Sequence, residues 1–488
     1  MKRRLEQLHD GAQPSGGDPI AFVPERSGGP NVPRQADGPT DAPPINPPSH
    51  SVLASPAQTP LMTALAANTA RLRRLRSRIL AVCRLGAEKL GTRIQWSSDG
   101  DAKGAPVKAM VYRGPYKVRV EDKDIPKLEH PNDAIIRVAL AAICGSDLHL
   151  YHGMMPDTRV GHTFGHEFIG VVEQVGSSVQ TLKPGDRVMV PFNVYCGSCF
   201  FCARGLYSNC HNVNPNATAV GGIYGYSHTC GGYDGGQAEF VRVPFADVGP
   251  SLIPEWMDDE DALLCTDALA TGYFGAQLGD IVEGDTVLVF GAGPVGLFAA
   301  KSAWFMGAGR VIVIDHLDYR LEKAREFAQA ETFNFVEHRD IVVEMKKATG
   351  YLGADVVVDA VGAEADGSFL QHVTAAKLKL QGGSPIALNW AIDSVRKGGT
   401  ISVMGAYGPM FSAVKFGDAM NKGLTINMNQ CPVKRQWPRL FEHIRNGHLK
   451  PSDIVTHRIP LEHIAEAYHI FSAKLDGVIK PVIVPSPR

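Results

Sequence analysis

The chain has 488 residues, 44% of them hydrophobic, and its 49 lysines and arginines almost balance 50 aspartates and glutamates, for a formal net charge of −1. That length and apolar content can build two or three domains with real cores. The neutral balance argues against nucleic acid or an acidic membrane as a partner, and no uninterrupted apolar run is long enough to span a bilayer.

Met1 to Pro60 is rich in Pro, Gly, Ser and Asp and has no apolar periodicity. It cannot bury enough surface to offset its ordering entropy, so it is expected to be disordered. Leu61 to Leu90 places Leu and Ile at helical spacing among arginines at 71, 73, 74, 76 and 78. A membrane-surface or targeting helix is one reading, and a basic tail helix without a role is preferred. Glu6, Asp10, Asp18 and Glu25 argue against a mitochondrial presequence. Residues 1–106 are therefore read as a dispensable extension.

The character changes at Val107. VKAMVYRGPYKVRVEDKDIP alternates like a strand pair around a Gly-Pro turn. IIRVALAAICGSD then reads as a β-branched strand, and FIGVVEQVGSSVQTLKPGDRVMVPF as short strands with turns, the texture of a small antiparallel barrel. After Asp267 strands and helices alternate through TVLVFGAGPVGLFAAKSAWFMGAGRVIVIDH, ADVVVDAVG and GTISVMGAYG, as in a parallel α/β sheet. The domains expected are 107–271 for the barrel, 272–424 for the α/β sheet, and 425–488 as a segment returning to the barrel.

Three groups of residues carry chemistry. Cys144 offers a thiolate and His166–Glu167 an imidazole and a carboxylate, with Ser146, Asp147 and His149 beside the thiol. A soft sulfur with an imidazole suits zinc, and an incomplete ligand set leaves a position open for catalysis. Asp267 is the leading candidate for the third ligand, while Cys265, two residues earlier, is read as a small buried packing residue.

Cys196, Cys199, Cys202 and Cys210 form a comb in a single short stretch. Four thiolates close a tetrahedral zinc shell, which has no room for substrate, so this second zinc is structural. An iron–sulfur cluster is the competing reading, but the long last gap and the absence of proline after Cys210 argue against it. The nine cysteines are too few and too clustered for a disulfide scaffold, and the comb favours a reducing, cytoplasmic compartment.

The third group is Gly291-x-Gly293-x-x-Gly296, after the strand TVLVF and opening the helix that starts at Pro294 and Val295. A second strand ends on Asp315, which completes the order a dinucleotide fold requires. Asp315 would accept hydrogen bonds from the ribose hydroxyls and repel a 2′-phosphate, so NAD is favoured over NADP. Arg320 could flank the same ribose or be a solvated helix charge.

Together these segments resemble the zinc-dependent medium-chain alcohol dehydrogenase family from Val107 to the C-terminus. CGSD at 144–147, GHE at 165–167, the four-cysteine lobe and GAGPVG match its pattern in order and spacing. The chain looks closest to the bacterial formaldehyde dehydrogenase-like branch, through GGIYGYSHTCGGYDGGQAEFVRVP at 221–244 and TDALATGYFG. The resemblance implies a GroES-like barrel interrupted by a Rossmann domain, two zinc ions, NAD, and a small alcohol or aldehyde as substrate. It supports Cys144, His166 and Asp267 as ligands to the catalytic zinc. It further implies that Ser146 touches the substrate oxygen, His149 passes its proton to solvent, Asp147 holds His166, Glu167 enters the zinc shell transiently and Thr271 presses on the nicotinamide. A homo-oligomer, dimer or tetramer, follows by the same likeness.

Ala363 to Lys397 is longer than a usual helix and turn. In the branch it resembles, a comparable insertion can hold NAD tightly, so a formaldehyde dismutase-like enzyme that retains its NAD is an alternative. A non-catalytic NAD-binding protein on the same fold is another. His152, Met155 and Trp390 are expected among the pocket walls.

Overall fold

The computed structural model describes residues 106–217, 220–361, 385–407 and 414–485. The expected disordered segment, the basic helix and most of the insertion at 363–397 lie outside the described residues. The last part of that insertion is helix Ile386–Ser394, followed by the opening of strand Val395–Val403.

Six parallel strands form one sheet: Thr286–Phe290, Arg310–Asp315, Glu331–Asn334, Ala354–Asp359, Val395–Val403 and Thr425–Met428. In chain order they lie third, second, first, fourth, fifth, sixth across the sheet. This is the doubly wound Rossmann order. Strands covered on both faces need continuous apolar runs, and Val287, Leu288 and Val289 are all fully buried. The order reverses between Thr286–Phe290 and Ala354–Asp359, which pair in parallel from Val287–Val356 to Phe290–Asp359. A crevice opens at the carboxyl ends of strands at such a reversal. Gly291 and Ala360 stand there.

The second sheet is a GroES-like barrel built around Ala134–Ala142, which pairs antiparallel with Phe168–Val175, Phe240–Val243 and Lys480–Val484. Eight of the nine residues of this strand are buried and only Arg137 is half-buried, so the strand serves two packed faces. The chain's last strand closes beside the start of the metal loop, where Ile143 N donates to Pro481 O at 3.2 Å. One expected boundary moves. Thr425–Met428, read from sequence as the start of the return segment, pairs in parallel with Thr400–Val403 and is the sixth Rossmann strand. Among the described residues no helix is long and apolar enough to cross a membrane.

Candidate metal and dinucleotide site

Cys144 leaves the central barrel strand and caps the helix Gly145–Tyr151. Asp147, in the first turn, reaches back so that its Oδ2 accepts from Cys144 N at 2.9 Å and from Gln237 Nε2 at 3.2 Å. Its Oδ1 faces His166 Nδ1 at 3.4 Å. Gln237 is itself held by the hydroxyl of Tyr468, which donates to Oε1 at 2.8 Å. The carboxylate that faces the histidine is thus fixed by two further side chains and a main-chain amide.

Asp267 sits between the helices Asp259–Cys265 and Ala268–Leu278. Its Oδ2 lies 3.2 Å from His166 Nε2 and 3.6 Å from Cys144 Sγ. Ligand bonds of about 2.0–2.3 Å in a tetrahedron put donor atoms about 3.2–3.8 Å apart, so this donor set fits zinc. Ser146 Oγ is 3.4 Å from His166 Nε2. Thr271 Oγ1 donates to Asp267 Oδ1 at 2.5 Å, so this threonine fixes a ligand carboxylate as well as lining the cavity. Cys265 is fully buried and its carbonyl accepts from Trp437 Nε1, as a packing residue should.

The electrostatics agree. Burial and the charge of Asp267 push the Cys144 thiol up. Burial alone would lower His166, but the Asp147 carboxylate and hydrogen bonds to its neighbours raise it well above the usual imidazole range. Asp267, despite burial, is pulled down by His166. Three potential anions thus crowd one imidazole, a balance that a divalent cation satisfies.

Glu167 belongs to the same cluster: one donor atom from each of Cys144, His166, Glu167 and Asp267 lies within 4.8 Å of the others. Its Oε1 is engaged by Lys480 Nζ at 2.5 Å, and both side chains are fully buried. Lys480, Gln237 and Tyr226 escape the sequence reading. A lysine inside the apolar strand VIKPVIVP was a signal available in the sequence, and the other two lie in the glycine-rich stretch 221–244.

In the cysteine lobe Cys199 Sγ lies 3.5 Å from Cys202 Sγ and 3.8 Å from Cys210 Sγ, close to the separation of about 3.8 Å that four Zn–S bonds impose. Burial acts to raise the Cys199 thiol, but amides of Cys202 and His211 aim at it and bring it down to about 6. Cys196 is likewise brought down against its burial by amides of Ser198 and Cys199, whereas burial pushes the Cys202 and Cys210 thiols up.

One cavity of about 290 Å³ joins the first metal cluster to the Rossmann crevice. Cys144, Ser146, His149, His166, Asp267 and Thr271 line one end, and Gly291, Gly293, Pro294, Val295, Asp315 and Arg320 the other. Gly296 lies beneath it, where a Cβ would come within 1.8 Å of Gly291 O. A Cβ at Gly293 would meet nothing closer than Arg320 Nη1 at 3.9 Å, so the first turn of the helix Pro294–Phe305 faces open space fit for a pyrophosphate. Asp315 accepts from Ala292 N at 2.8 Å and so ties its strand to the glycine loop. Arg320 Nη1 stands 3.9 Å from the Asp315 carboxylate. Trp390 lines the cavity, whereas His152 is hydrogen-bonded to Ser472 and the half-buried Met155 packs against the barrel core.

Residues 130–255 match the alcohol dehydrogenase GroES-like domain family, and residues 294–377 match the zinc-binding dehydrogenase family. A zinc-type alcohol dehydrogenase-like protein of Bacillus subtilis is 44% identical over 381 residues, covering 78% of this chain and all of the relative. A glutathione-independent formaldehyde dehydrogenase of Pseudomonas aeruginosa is 35% identical over 400 residues, covering 77% of this chain and 97% of the relative. Among solved structures, the alcohol dehydrogenase TADH from Thermus sp. ATN1 superposes with a TM-score of 0.65 at 36% identity, over 78% of this chain and 100% of that one.

Proposed function

As the chain belongs to the zinc-dependent medium-chain alcohol dehydrogenase superfamily and is a zinc- and NAD-linked oxidoreductase, we propose that it passes a hydride between NAD and a small alcohol or aldehyde hydrate. The observation that carries this reading is the meeting of Cys144, His166 and Asp267 in the same cavity as Gly293 and Asp315. When bound there, zinc supplies a Lewis acid for the substrate oxygen and NAD a hydride acceptor.

The chain's own residues supply position and a path for the proton. Cys144, His166 and Asp267 hold the metal, with Asp147 and Thr271 fixing two of these three ligands. Ser146, beside His166, takes the substrate's hydroxyl proton and hands it to His149, three residues along the same short helix. Phe192 and Ile223 make the reacting end apolar and limit water. Glu167 serves as a reserve donor restrained by Lys480. Gly291, Gly293 and the helix they open hold the pyrophosphate, while Asp315 and Arg320 bracket the ribose. The comb Cys196, Cys199, Cys202 and Cys210 holds the structural zinc.

An aspartate in the third ligand position and the glycine-rich stretch 221–244 support the formaldehyde dehydrogenase-like branch. The catalytic unit would comprise 107–271 with the segment after Met428, and the NAD-binding unit the strands between. A thiolate comb needs reducing conditions, which supports a cytoplasmic location, and the family likeness supports a homo-oligomer. The test is metal content beside NAD and NADP reduction with formaldehyde and short alcohols. About two zinc ions per chain with NAD-dependent turnover are expected. About one zinc with no turnover on any of these substrates would overturn the reading.

A further inference from the structure

The loop around Tyr226 is built with more restraint than a pocket wall needs. His162, 5% exposed, donates through Nε2 to the carbonyl of Tyr226 at 2.7 Å. The other nitrogen of that ring lies 3.1 Å from Asp234, whose carboxylate also engages Lys123 Nζ at 2.7 Å and Thr163 N at 2.9 Å. Gly225 has φ +55°, and a Cβ there would come within 2.5 Å of Gly165 N and 2.6 Å of Phe164 C. The loop is therefore keyed into the backbone that carries His166, and the Tyr226 hydroxyl is delivered to a fixed point. That point is 3.2 Å from His149 Nδ1, at the cavity's reacting end.

We propose that Tyr226 is the positioning residue for His149, its hydroxyl fixing the imidazole through Nδ1 while the ring receives the proton handed on by Ser146. The proposal rests on the relay reading given above. A hydroxyl suits this place because it accepts from Nδ1–H both in the neutral ring that takes the proton and in the imidazolium that results, so it holds the ring through both halves of a proton transfer. A carboxylate there would instead favour the imidazolium and stall release of the proton. Burial keeps the phenol above its ordinary range, so it stays a neutral hydroxyl at working pH. The residue touches the relay, with no part in ligating the metal or in the glycine loop.

The test uses the full-length, zinc-loaded protein and four forms: wild type, Tyr226→Phe, His149→Gln and the double variant. Tyr226→Phe should lower kcat about tenfold, the loss of one hydrogen bond, with the KM for NAD, zinc content and melting temperature unchanged. His149→Gln should lower kcat on the order of a hundredfold, and adding Tyr226→Phe to it should cost nothing more. Labelling by diethyl pyrocarbonate, read on the peptide bearing His149, should rise in Tyr226→Phe as the ring loses this partner. A tenfold loss that persists in the His149→Gln background, or unchanged kcat and labelling in Tyr226→Phe, would overturn the assignment and leave the relay standing. Wild-type kcat in His149→Gln would overturn the relay itself, and the role of Tyr226 with it.

Discussion

Lys480 and Glu167, which stand 313 residues apart in sequence, form an ion pair at 2.5 Å in which neither side chain is exposed to solvent. Burial pushes the glutamate's carboxyl up against the pull of Lys480, and it would depress the lysine were the Glu167 charge not there to raise it. Each group thus depends on the other for its charge. Removing one member of such a pair strands the other in a low-dielectric interior. Lys480→Met should lower unfolding stability by about 3–5 kcal/mol, and Lys480→Met with Glu167→Gln should recover most of that loss. Chemical denaturation of the zinc-loaded proteins measures both, and a single variant as stable as wild type would refute the dependence.

Asp147 makes a different kind of contribution. Its Oδ2 is occupied by Cys144 N and Gln237 Nε2, so only Oδ1 is directed at His166 Nδ1. Replacing that oxygen by an amide can present a donor to a ring nitrogen that must itself donate when Nε2 ligates. Partners behind a ligating histidine typically affect metal affinity by about 10–100-fold. Asp147→Asn should therefore release the catalytic zinc to a competing chelator at a correspondingly lower concentration, while the comb zinc stays. Equal loss of both ions would show that the substitution unfolds the protein and does not act on His166.

Cys230 gives a pH signature. It is 5% exposed, and burial pushes its thiol up to about 11 despite a hydrogen bond from Ser227. The folded value lies above the unfolded one of about 8.5, so the folded state holds the proton longer. Its contribution is fully present below about pH 8.5 and is lost as pH rises toward the folded value. Wild type should lose roughly 1 kcal/mol relative to Cys230→Ala between pH 7 and 9.5. Urea midpoints at the two pH values measure this, and parallel behaviour of the two proteins would show that Cys230 ionises as freely folded as unfolded.

The parts of the site legible in the sequence are those whose chemistry is local. The comb lies within one lobe, and the glycine loop needs only a strand before it and a helix after it. Cys144 and Asp267, 123 residues apart, could be joined only because each carries a metal-type donor and the family pattern links them. Lys480 had no such pattern, since its role arises when the final strand closes beside Ala134–Ala142. Gln237 is likewise a support whose meaning appears only when Asp147 and Tyr468 meet it. Thr271 shows the limit from the other side: its place near the cofactor cavity was legible, but its bond to Asp267 was not. The sixth Rossmann strand was placed in the wrong unit because TINM is short and polar enough to pass for the start of a new segment.

On the function proposed above, Asp315 sets the choice of cofactor. Both oxygens already accept main-chain hydrogen bonds, Oδ2 from Ala292 and Oδ1 from His316 and Leu317, so the charge is held at the crevice edge and cannot swing aside. Arg320 lies beside it with a buried Nε that makes no hydrogen bond among the described residues and with its side chain 15% exposed. A fixed carboxylate repels a 2′-phosphate, and the arginine next to it would attract one. Asp315→Asn should lower kcat/KM for NAD by about tenfold, through loss of a charged hydrogen bond to the ribose, and should raise it for NADP. Adding Arg320→Ala should remove the gain for NADP while changing NAD little. Steady-state kinetics with both cofactors test the pair of variants together. If the NAD to NADP ratio stays at its wild-type value in Asp315→Asn, the discrimination must come from the shape of the crevice and not from this charge.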